Sequence, residues 1–391
     1  MRFPEFSEEW KKDSLDQIAN ISKGNGISKE QLSDQGTPCI LYGELYTKYK
    51  SEIITEVYSK TALNPSTLVK SQANDVIIPC SGETAIDIST ARCVPYNNIL
   101  LGGDLNIIRL KSQDGGFFAY QLNSVRKHDI ARIAQGVSVV HLYGENLKKI
   151  KVCYPSIEEQ RKITSLLSII DERIVTQNKI IEKYRSLIQA IIYQKKTDGI
   201  CNGNWQKMKL SKVLQERSEK NTNGYVVCSV SVSQGVVNQI EYLGRSFAAK
   251  ETFHYNVVKD GDIVYTKSPT GDFPYGIVKR STIKEDVAVS PLYGVYMPVN
   301  DHIGVILHFY FMRPSNAFNY LHPLIQKGAK NTINITNGRF LENSILLPKT
   351  ENEALCIANA LKTIQRKIDI EKGLLQSYEK EKEYLLCQMF I

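Results

Sequence analysis

Two stretches of the chain carry the same long pattern of apolar residues, which recur at alternating steps of four and three. The first stretch contains Ile163, Leu167, Ile170, Ile174, Ile181, Tyr184 and Ile188. The second stretch contains Ile357, Leu361, Ile364, Ile368, Leu375, Tyr378 and Leu385. Both patterns also place a polar residue, Gln177 or Glu371, in the same position. Shared interruptions of this kind indicate an internal repeat and not only a shared heptad phase.

Steps of four and three maintained over several heptads are typical of a coiled coil. A core helix within a globular domain is the alternative. Each pattern continues for roughly 35 to 40 residues, or about 50 to 60 Å of helix, which is longer than a typical globular helix. The simplest solution is that the two helices pack on each other in antiparallel orientation.

The segments before the two helices also correspond. Trp10 and Trp205 occupy matching positions, and Asn74-Asp75 and Gly261-Asp262 each lead into a short apolar run. The sequence therefore predicts an α+β fold in which two tandem mixed α/β domains are separated by the two long helices, as a pseudo-twofold repeat. The predicted boundaries are 1–155 for the first domain, 156–196 for the central helix, 197–348 for the second domain and 349–391 for the C-terminal helix. A linker over 197–204 is predicted to end the central helix.

Charge and hydropathy restrict the class of protein. The formal net charge is +8, which favours a polyanionic partner because neutralised phosphates release counterions. No stretch approaches the roughly 18 apolar residues that a membrane span needs. No apolar secretory segment is visible near the N-terminus, so we expect a cytoplasmic protein with no membrane partner.

The sequence lacks the motifs of the catalytic classes that could act on DNA. Asn64-Pro65-Ser66-Thr67 does not complete the tetrapeptide of adenine methyltransferases, and no phosphate-binding G-x-x-x-x-G-K-[ST] loop occurs. The histidines, including His302 and His308, show no metal-ligand spacing. Asp75 and Glu83 lack the lysine that a nuclease site requires. We therefore expect a binding protein with no catalytic residue, no metal site and no cofactor of its own.

The start of the central helix carries a resemblance to a known family. Pro155-Ser156-Ile157-Glu158-Glu159-Gln160, followed by the helical pattern from Ile163, resembles the opening of a conserved region in specificity subunits of type I restriction–modification enzymes. The segment from Arg2 to Phe6, followed by Trp10 and Leu15, is similar to the first residues of such subunits. The second copy differs, because Glu353 stands where the family has glutamine.

The resemblance implies a function in an assembly. Such subunits read a bipartite double-stranded DNA target, with one half for each target-recognition domain. They hold two modification subunits that methylate adenine with S-adenosylmethionine, and two ATP-dependent restriction subunits can join them. S-adenosylmethionine, ATP and Mg²⁺ are thus expected in partner subunits and not in this chain. If the helices separate the two domains, their length would set the length of the unread spacer.

Polar residues in loops that follow strands are the candidates for DNA contact, because Arg, Lys, Asn, Gln, Ser and Thr supply the donors and acceptors for bases and phosphates. In the first domain the candidates are Ser81, Gly82, Glu83, Thr84, Arg92, Gln135, Ser138 and His141. In the second domain they are Lys267, Ser268, Thr270, Lys279, Lys330, Asn331 and Asn334. Two alternatives stay open: ordinary polar turns at these positions, and a two-domain adaptor that binds a ligand other than DNA.

Overall fold

A computed structural model describes residues 2–245, 248, 251–327 and 333–390, with the backbone alone at 327, 333 and 334. The chain forms two compact units. Unit 1 consists of Met1–Asn178 and Gly373–Ile391, and unit 2 consists of Lys179–Lys372. The division passes through both long helices, so each unit contains one α/β domain and one part of each helix.

The strands of unit 1 are short and are joined by turns. They are β1 (Lys11–Ser14), β2 (Ala19–Lys23), β3 (Leu32–Ser33), β4 (Thr37–Ile40), β5 (Ser59–Thr61), β6 (Asp75–Pro79), β7 (Ser81–Gly82), β8 (Arg92–Val94), β9 (Leu100–Leu101), β10 (Leu105–Leu110), β11 (Val140–His141) and β12 (Lys151–Tyr154). Its shorter helices are α1 (Leu15–Ile18), α2 (Glu44–Thr47), α3 (Ala85–Ile88), α4 (Gly115–Asn123), α5 (Lys127–Ile133) and α6 (Gly144–Leu147).

The central sheet of unit 1 has the strand order β2-β10-β6-β8, with antiparallel neighbours. Every residue of β6 is buried, as its continuous apolar run requires for a strand that is covered on both faces. One face packs on α4, whose first turn is capped by the Asp114 carboxylate. A separate sheet, β3-β5-β4-β9, and the pair β1-β12 complete the unit.

Unit 2 repeats this plan with different loops. Its strands are β13 (Trp205–Lys209), β14 (Leu214–Glu216), β15 (Cys228–Ser231), β16 (Gly235–Asn238), β17 (Asn256–Val258), β18 (Ile263–Tyr265), β19 (Val278–Arg280), β20 (Val287–Val289), β21 (Gly294–Pro298), β22 (Gln326–Lys327), β23 (Ile333–Asn334) and β24 (Ser344–Pro348). Its shorter helices are α8 (Gln239–Leu243), α9 (Asp301–Phe311), α10 (Pro314–Leu321) and α11 (Asn337–Phe340).

The same pairings recur in corresponding places. The sheet of unit 2 has the order β14-β21-β18-β19, and β13 pairs with β24 as β1 pairs with β12. Helix α9 is capped by Asn300, as α4 is capped by Asp114. The predicted repeat and the α+β fold class are therefore confirmed.

The two long helices are α7 (Ile157–Cys201) and α12 (Glu351–Met389). The predicted end of the central helix is wrong, because α7 continues through 197–201, where a linker is predicted. Gly199 lies inside the helix, and a Cβ placed there would lie 1.8 Å from Cδ1 of Trp205. A glycine that looks like a helix breaker in the sequence is thus required for close approach of the indole ring.

Most of the predicted seam residues are buried, whereas Ile174, Tyr184, Leu375 and Tyr378 are half-buried. The exposed fraction of Ile163, Leu167 and Ile170 is 3% or less, and these residues also belong to the core of unit 1 together with Leu385. Within unit 1 the two helices run antiparallel: Arg173 lies over the Tyr378 ring, while the earlier Asp171 pairs with the later Lys382. In unit 1 the seam between the two helices is continuous with the core of the domain. The coiled coil and the core helix, which are the two alternatives from the sequence, therefore both describe this part of α7.

Candidate nucleic-acid interface

The structure brings the two predicted loops of the first domain together. Strand β7 pairs with β11, which sets Gly82 opposite Val140 and Ser81 opposite His141. Gln135 and His141 exchange two backbone hydrogen bonds of 2.9 and 2.7 Å. We call the segments 81–84 and 135–141 together the β7–β11 surface.

The side chains of the β7–β11 surface differ in their exposure and in their hydrogen bonds to the rest of the domain. The Ser81 hydroxyl is buried and donates to Asp104 over 3.2 Å. Thr84 is the N-cap of α3, where its hydroxyl accepts the Asp87 N–H. Glu83, Ser138 and His141 are exposed. The buried Ser81 side chain therefore has a structural role, which corrects its assignment as a base-reading residue, whereas Thr84 and the other exposed residues stay predictions.

Sequence reasoning missed an apolar tip on this surface. Val137 is 97% exposed, Val139 is 52% exposed, and the Tyr143 ring stacks on His141 with 6.2 Å between the ring centroids. The chain makes a tight turn at Gly136, where φ is 122°, and Val137 and Val139 follow this turn. Exposed apolar side chains beside polar ones suit base edges, because a thymine methyl group is read by apolar contact.

A cleft of about 820 Å³ adjoins the β7–β11 surface through Asp104, which accepts the Ser81 hydroxyl. Its lining includes the side chains of Lys29, Tyr42 and Lys48. Lys48 is held by the buried Glu44 carboxylate at 2.6 Å. Sequence patterns gave no signal for this cleft, since its lining residues come from turns far apart in the chain.

In the second domain, the predicted loop follows β18. Ser268 and Thr270 are exposed, and Thr270 and Phe273 close a short turn. Lys267 has a left-handed backbone conformation with φ at 61°, and burial lowers the pKa of its side chain. These residues follow Asp262 as Ser81–Thr84 follow Asp75, so the two loops occupy equivalent places in the repeat.

The other predicted loop of the second domain is described only in part. Lys330 and Asn331 lie outside the described residues. Asn334 lies on β23 opposite Gln326, and its side chain is likewise outside the described part of the chain.

Arg92 and Lys279 are not on an exposed loop. Both lie on the edge strand of a four-stranded sheet, and their exposed fractions are 7% and 4%. The Arg92 guanidinium donates to the carbonyl oxygens of Leu45 and Tyr49 over 3.1 and 2.9 Å. This corrects their assignment to the reading surface: a buried cation cannot reach a base edge.

An ion pair between an aspartate and an arginine holds each of the strands that lead to the two predicted loops, although the two arginines lie at different places in the repeat. Arg109 contacts both carboxylate oxygens of Asp75 at 2.9 and 2.8 Å, and Arg217 contacts those of Asp262 at 2.6 and 3.0 Å. Two parallel N–H···O bonds fix the geometry of such a pair. Asp75, considered from the sequence as a nuclease carboxylate, thus has a structural role. The described residues contain no cluster of His, Cys, Asp or Glu that could hold a metal ion.

The motif at the start of α7 joins the helix to the recognition domain. Gln160 is fully buried, accepts the Asp114 N–H over 3.0 Å and donates to the Pro155 carbonyl over 2.9 Å. Glu159 holds Arg2 through two bonds of 2.8 Å. In the register that pairs Ile163 with Ile357, Glu353 takes the place of Glu159, and it accepts the indole N–H of Trp205 over 2.8 Å. The buried Ala354 takes the place of Gln160, so the assignment of Glu353 to the glutamine position is wrong.

A buried charge network joins α7 and α12 to the recognition domain within unit 1. The Lys382 ammonium lies 2.6 Å from a carboxylate oxygen of Glu52 and 2.6 Å from one of Asp171. The Tyr120 hydroxyl donates to Asp171 over 2.8 Å. Burial acts to lower the pKa of Lys382, but the two carboxylates keep it above its ordinary value.

Comparison with known proteins agrees with this architecture. Residues 7–183 match the model of the family described as the type I restriction modification DNA specificity domain. The type I restriction enzyme MjaVIII specificity subunit of Methanocaldococcus jannaschii is 23% identical over 370 residues, which cover 88% of this chain and 84% of that relative.

Solved structures share the fold. The type I restriction–modification S subunit from M. genitalium is 16% identical with a TM-score of 0.64, and the match covers 100% of this chain and 99% of that one. A structure described as the basis of complex assembly and conformational transition of the type I R-M system is 13% identical with a TM-score of 0.50, covering 98% of both chains.

The fold, with two α/β domains and two long helices, is the fold of the solved S subunit, and the matched segment is similar to a DNA specificity domain. Residues 7–183 are thus similar to the DNA specificity domain of type I restriction–modification systems, and most of the chain is similar to one specificity subunit of that class. No helix among the described residues is long and apolar enough to cross a membrane.

Proposed function

We propose that this chain reads a bipartite DNA sequence, with one half for each recognition domain, and carries no catalytic residue of its own. The repeat is the observation that supports this proposal. Both units have the same strand order, an aspartate at the same place before the predicted loop that pairs with an arginine, and exposed polar residues in that loop. Divergent loops on equal scaffolds suit two different half-sites. The adaptor for a ligand other than DNA has no support from the relatives.

The chemistry then belongs to partner subunits. We infer two modification subunits that methylate adenine with S-adenosylmethionine, and two restriction subunits that use ATP and Mg²⁺. The specificity subunit would hold them on the DNA. The exposed faces of α7 and α12, rich in Lys, Glu, Arg and Gln, are the surfaces that we assign to partner docking.

The test uses the reconstituted methyltransferase complex with one loop changed at a time. Replacing Val137–Val139 with Gly-Ser-Gly removes the apolar tip of the β7–β11 surface, and the matched change converts Ser268 and Thr270 to Ala. Methylated adenines are then mapped by sequencing a random DNA library. We expect the first change to relax only one half-site and the second to relax only the other, at about 1 to 3 kcal/mol for each lost base contact.

Two further results decide the proposal. Binding to duplex DNA should fall steeply with salt, with a slope that reflects the phosphates neutralised. Unaltered methylation sites with both loop variants would contradict the assignment of the reading loops. A salt-independent interaction with DNA would contradict DNA reading by this chain.

A further inference from the structure

A second cavity lies in unit 2, away from the predicted reading loop. Its volume is about 700 Å³. It is bounded by β19, by the turn between β15 and β16, by α9, and by the parts of α7 and α12 that belong to unit 2. The polar side chains that carry the argument are Lys279, Arg280, His308, Asp369 and Lys372.

Lys279 lies buried in the wall of this cavity. Its exposed fraction is 4%, and it forms no hydrogen bond or ion pair with any residue of the described ranges. A buried ammonium without a partner is strongly unfavourable. Burial accordingly lowers the pKa of Lys279 to about 8. A ligand in the cavity could supply the missing partner for its charge.

The equivalent cation in unit 1 has partners. Arg92 pairs with Ile77 on the neighbouring strand, and Lys279 pairs with Val264, which takes the place of Ile77 in the repeat. Arg92 donates to two carbonyl oxygens, and the network of Glu52, Asp171 and Lys382 lies nearby. The repeat of Asp171 in α12 is the neutral Gln365. Unit 2 thus keeps a buried cation but has lost the carboxylate.

Other donors line the same cavity. The Arg280 Nε–H is buried and has no hydrogen-bond partner among the described atoms, although its other nitrogen binds Asp301. Lys372 forms no ion pair within the described part of the chain. The backbone N–H of Arg280 donates to His308 Nδ1 over 3.1 Å. In the neutral ring the proton is therefore assigned to Nε2. Burial and the neighbouring cations lower the pKa of His308 to about 3, which keeps the ring neutral.

One carboxylate also lines the cavity. Asp369 accepts a hydrogen bond of 2.9 Å from Gln365 on its own helix. It forms no ion pair with Lys279 or Lys372 in the described structure, so the two lysines are left for a ligand. The donors outnumber the acceptors, which selects for an anion.

We propose that this cavity binds a small phosphate-bearing ligand. A phosphate group presents several acceptor oxygens and up to two negative charges, which match two unpaired lysines and the Arg280 Nε–H. The volume of about 700 Å³ is within the range of small-molecule sites. A duplex backbone is the other source of phosphate, but the deep burial of Lys279 favours a molecule that can enter the cavity. The proposal is independent of DNA reading.

The experiment measures binding of inorganic phosphate and of adenosine 5′-monophosphate to the full chain by calorimetry, at constant ionic strength in chloride. The wild type is compared with Lys279→Met and with Lys207→Met, which removes the same charge from an exposed position outside the cavity. We expect saturable binding that weakens at least tenfold in Lys279→Met and less than twofold in the control. Lys372→Met removes the second lysine of the cavity lining, and we expect this variant to weaken phosphate binding as well.

Stability and competition complete the test. Because Lys279→Met removes a buried unpaired charge, its melting temperature without phosphate should equal or exceed that of the wild type, so lost binding would not reflect unfolding. Absence of saturable binding to the wild type, or equal binding by wild type and Lys279→Met, would overturn the proposal. Displacement of phosphate by a duplex, with weaker duplex binding by Lys279→Met, would overturn the assignment to a small molecule.

Discussion

The buried ammonium of Lys382 should contribute more to the stability of unit 1 than any exposed ion pair. Its side chain is 15% exposed, while those of Glu52 and Asp171 are 9% and 8% exposed. Lys382→Met keeps most of the volume but leaves two buried carboxylates without their cation. Removing one partner of a buried pair costs about 3 to 5 kcal/mol. For a unit of roughly 200 residues, this corresponds to a fall of about 10 °C in melting temperature.

The stability lost in Lys382→Met should depend on pH. Burial and the nearby Glu52 carboxylate already raise the pKa of Asp171, and loss of Lys382 removes the cation that opposes this shift, so ionised Asp171 destabilises the folded variant. The deficit should be full near neutral pH and should shrink as acid protonates Asp171 in the folded state. In Asp171→Asn/Lys382→Met, one uncompensated charge is gone and the Tyr120 acceptor is kept, so part of the stability should return.

The assay is urea unfolding followed by circular dichroism from pH 4 to pH 8, with Lys380→Met as the control. Lys380 is exposed on the same helix and has no ion pair in the described structure, so its loss should change stability by less than about 0.5 kcal/mol. A Lys382→Met deficit below about 1 kcal/mol, or one that does not change with pH, would refute the reasoning.

Three further predictions concern the helix contacts. Gly199→Ala should destabilise unit 2 by about 1 to 3 kcal/mol despite a better helix propensity, because the new methyl group meets Trp205; a gain in melting temperature would contradict this. Gln160→Ala should cost about 1 to 3 kcal/mol in urea unfolding, since buried groups at Asp114 and Pro155 lose their partners; a neutral effect would remove the role given to the motif. Glu353→Gln should keep the acceptor for the Trp205 indole, whereas Glu353→Ala should shift the Trp205 fluorescence measured in a Trp10→Phe background; equal spectra would argue against the bond.

The sequence predicts the larger features because they depend on spacing. Steps of four and three place Leu167 and Leu361 on a buried stripe whatever the neighbours are, and both residues are fully buried. The repeat could be found because Trp10 and Trp205, and Asp75 and Asp262, keep their places in the chain.

The finer features depend on tertiary contacts that spacing does not encode. Arg92 and Lys279 look like loop cations, but strand pairing places them inside the fold. Gly199 looks like a helix end, yet packing against Trp205 overrides its low helix propensity. The apolar tip at Val137 became visible only when the pairing of β7 with β11 showed which side of the loop is solvated.

The central claim is that each recognition domain reads its own half of the target. The most direct measurement maps methylated adenines for a chimera in which residues 205–348 are replaced by residues 10–155, in complex with the modification subunits. We predict that both halves of the new target carry the bases of the original first half. A target whose second half keeps its original bases would contradict the account.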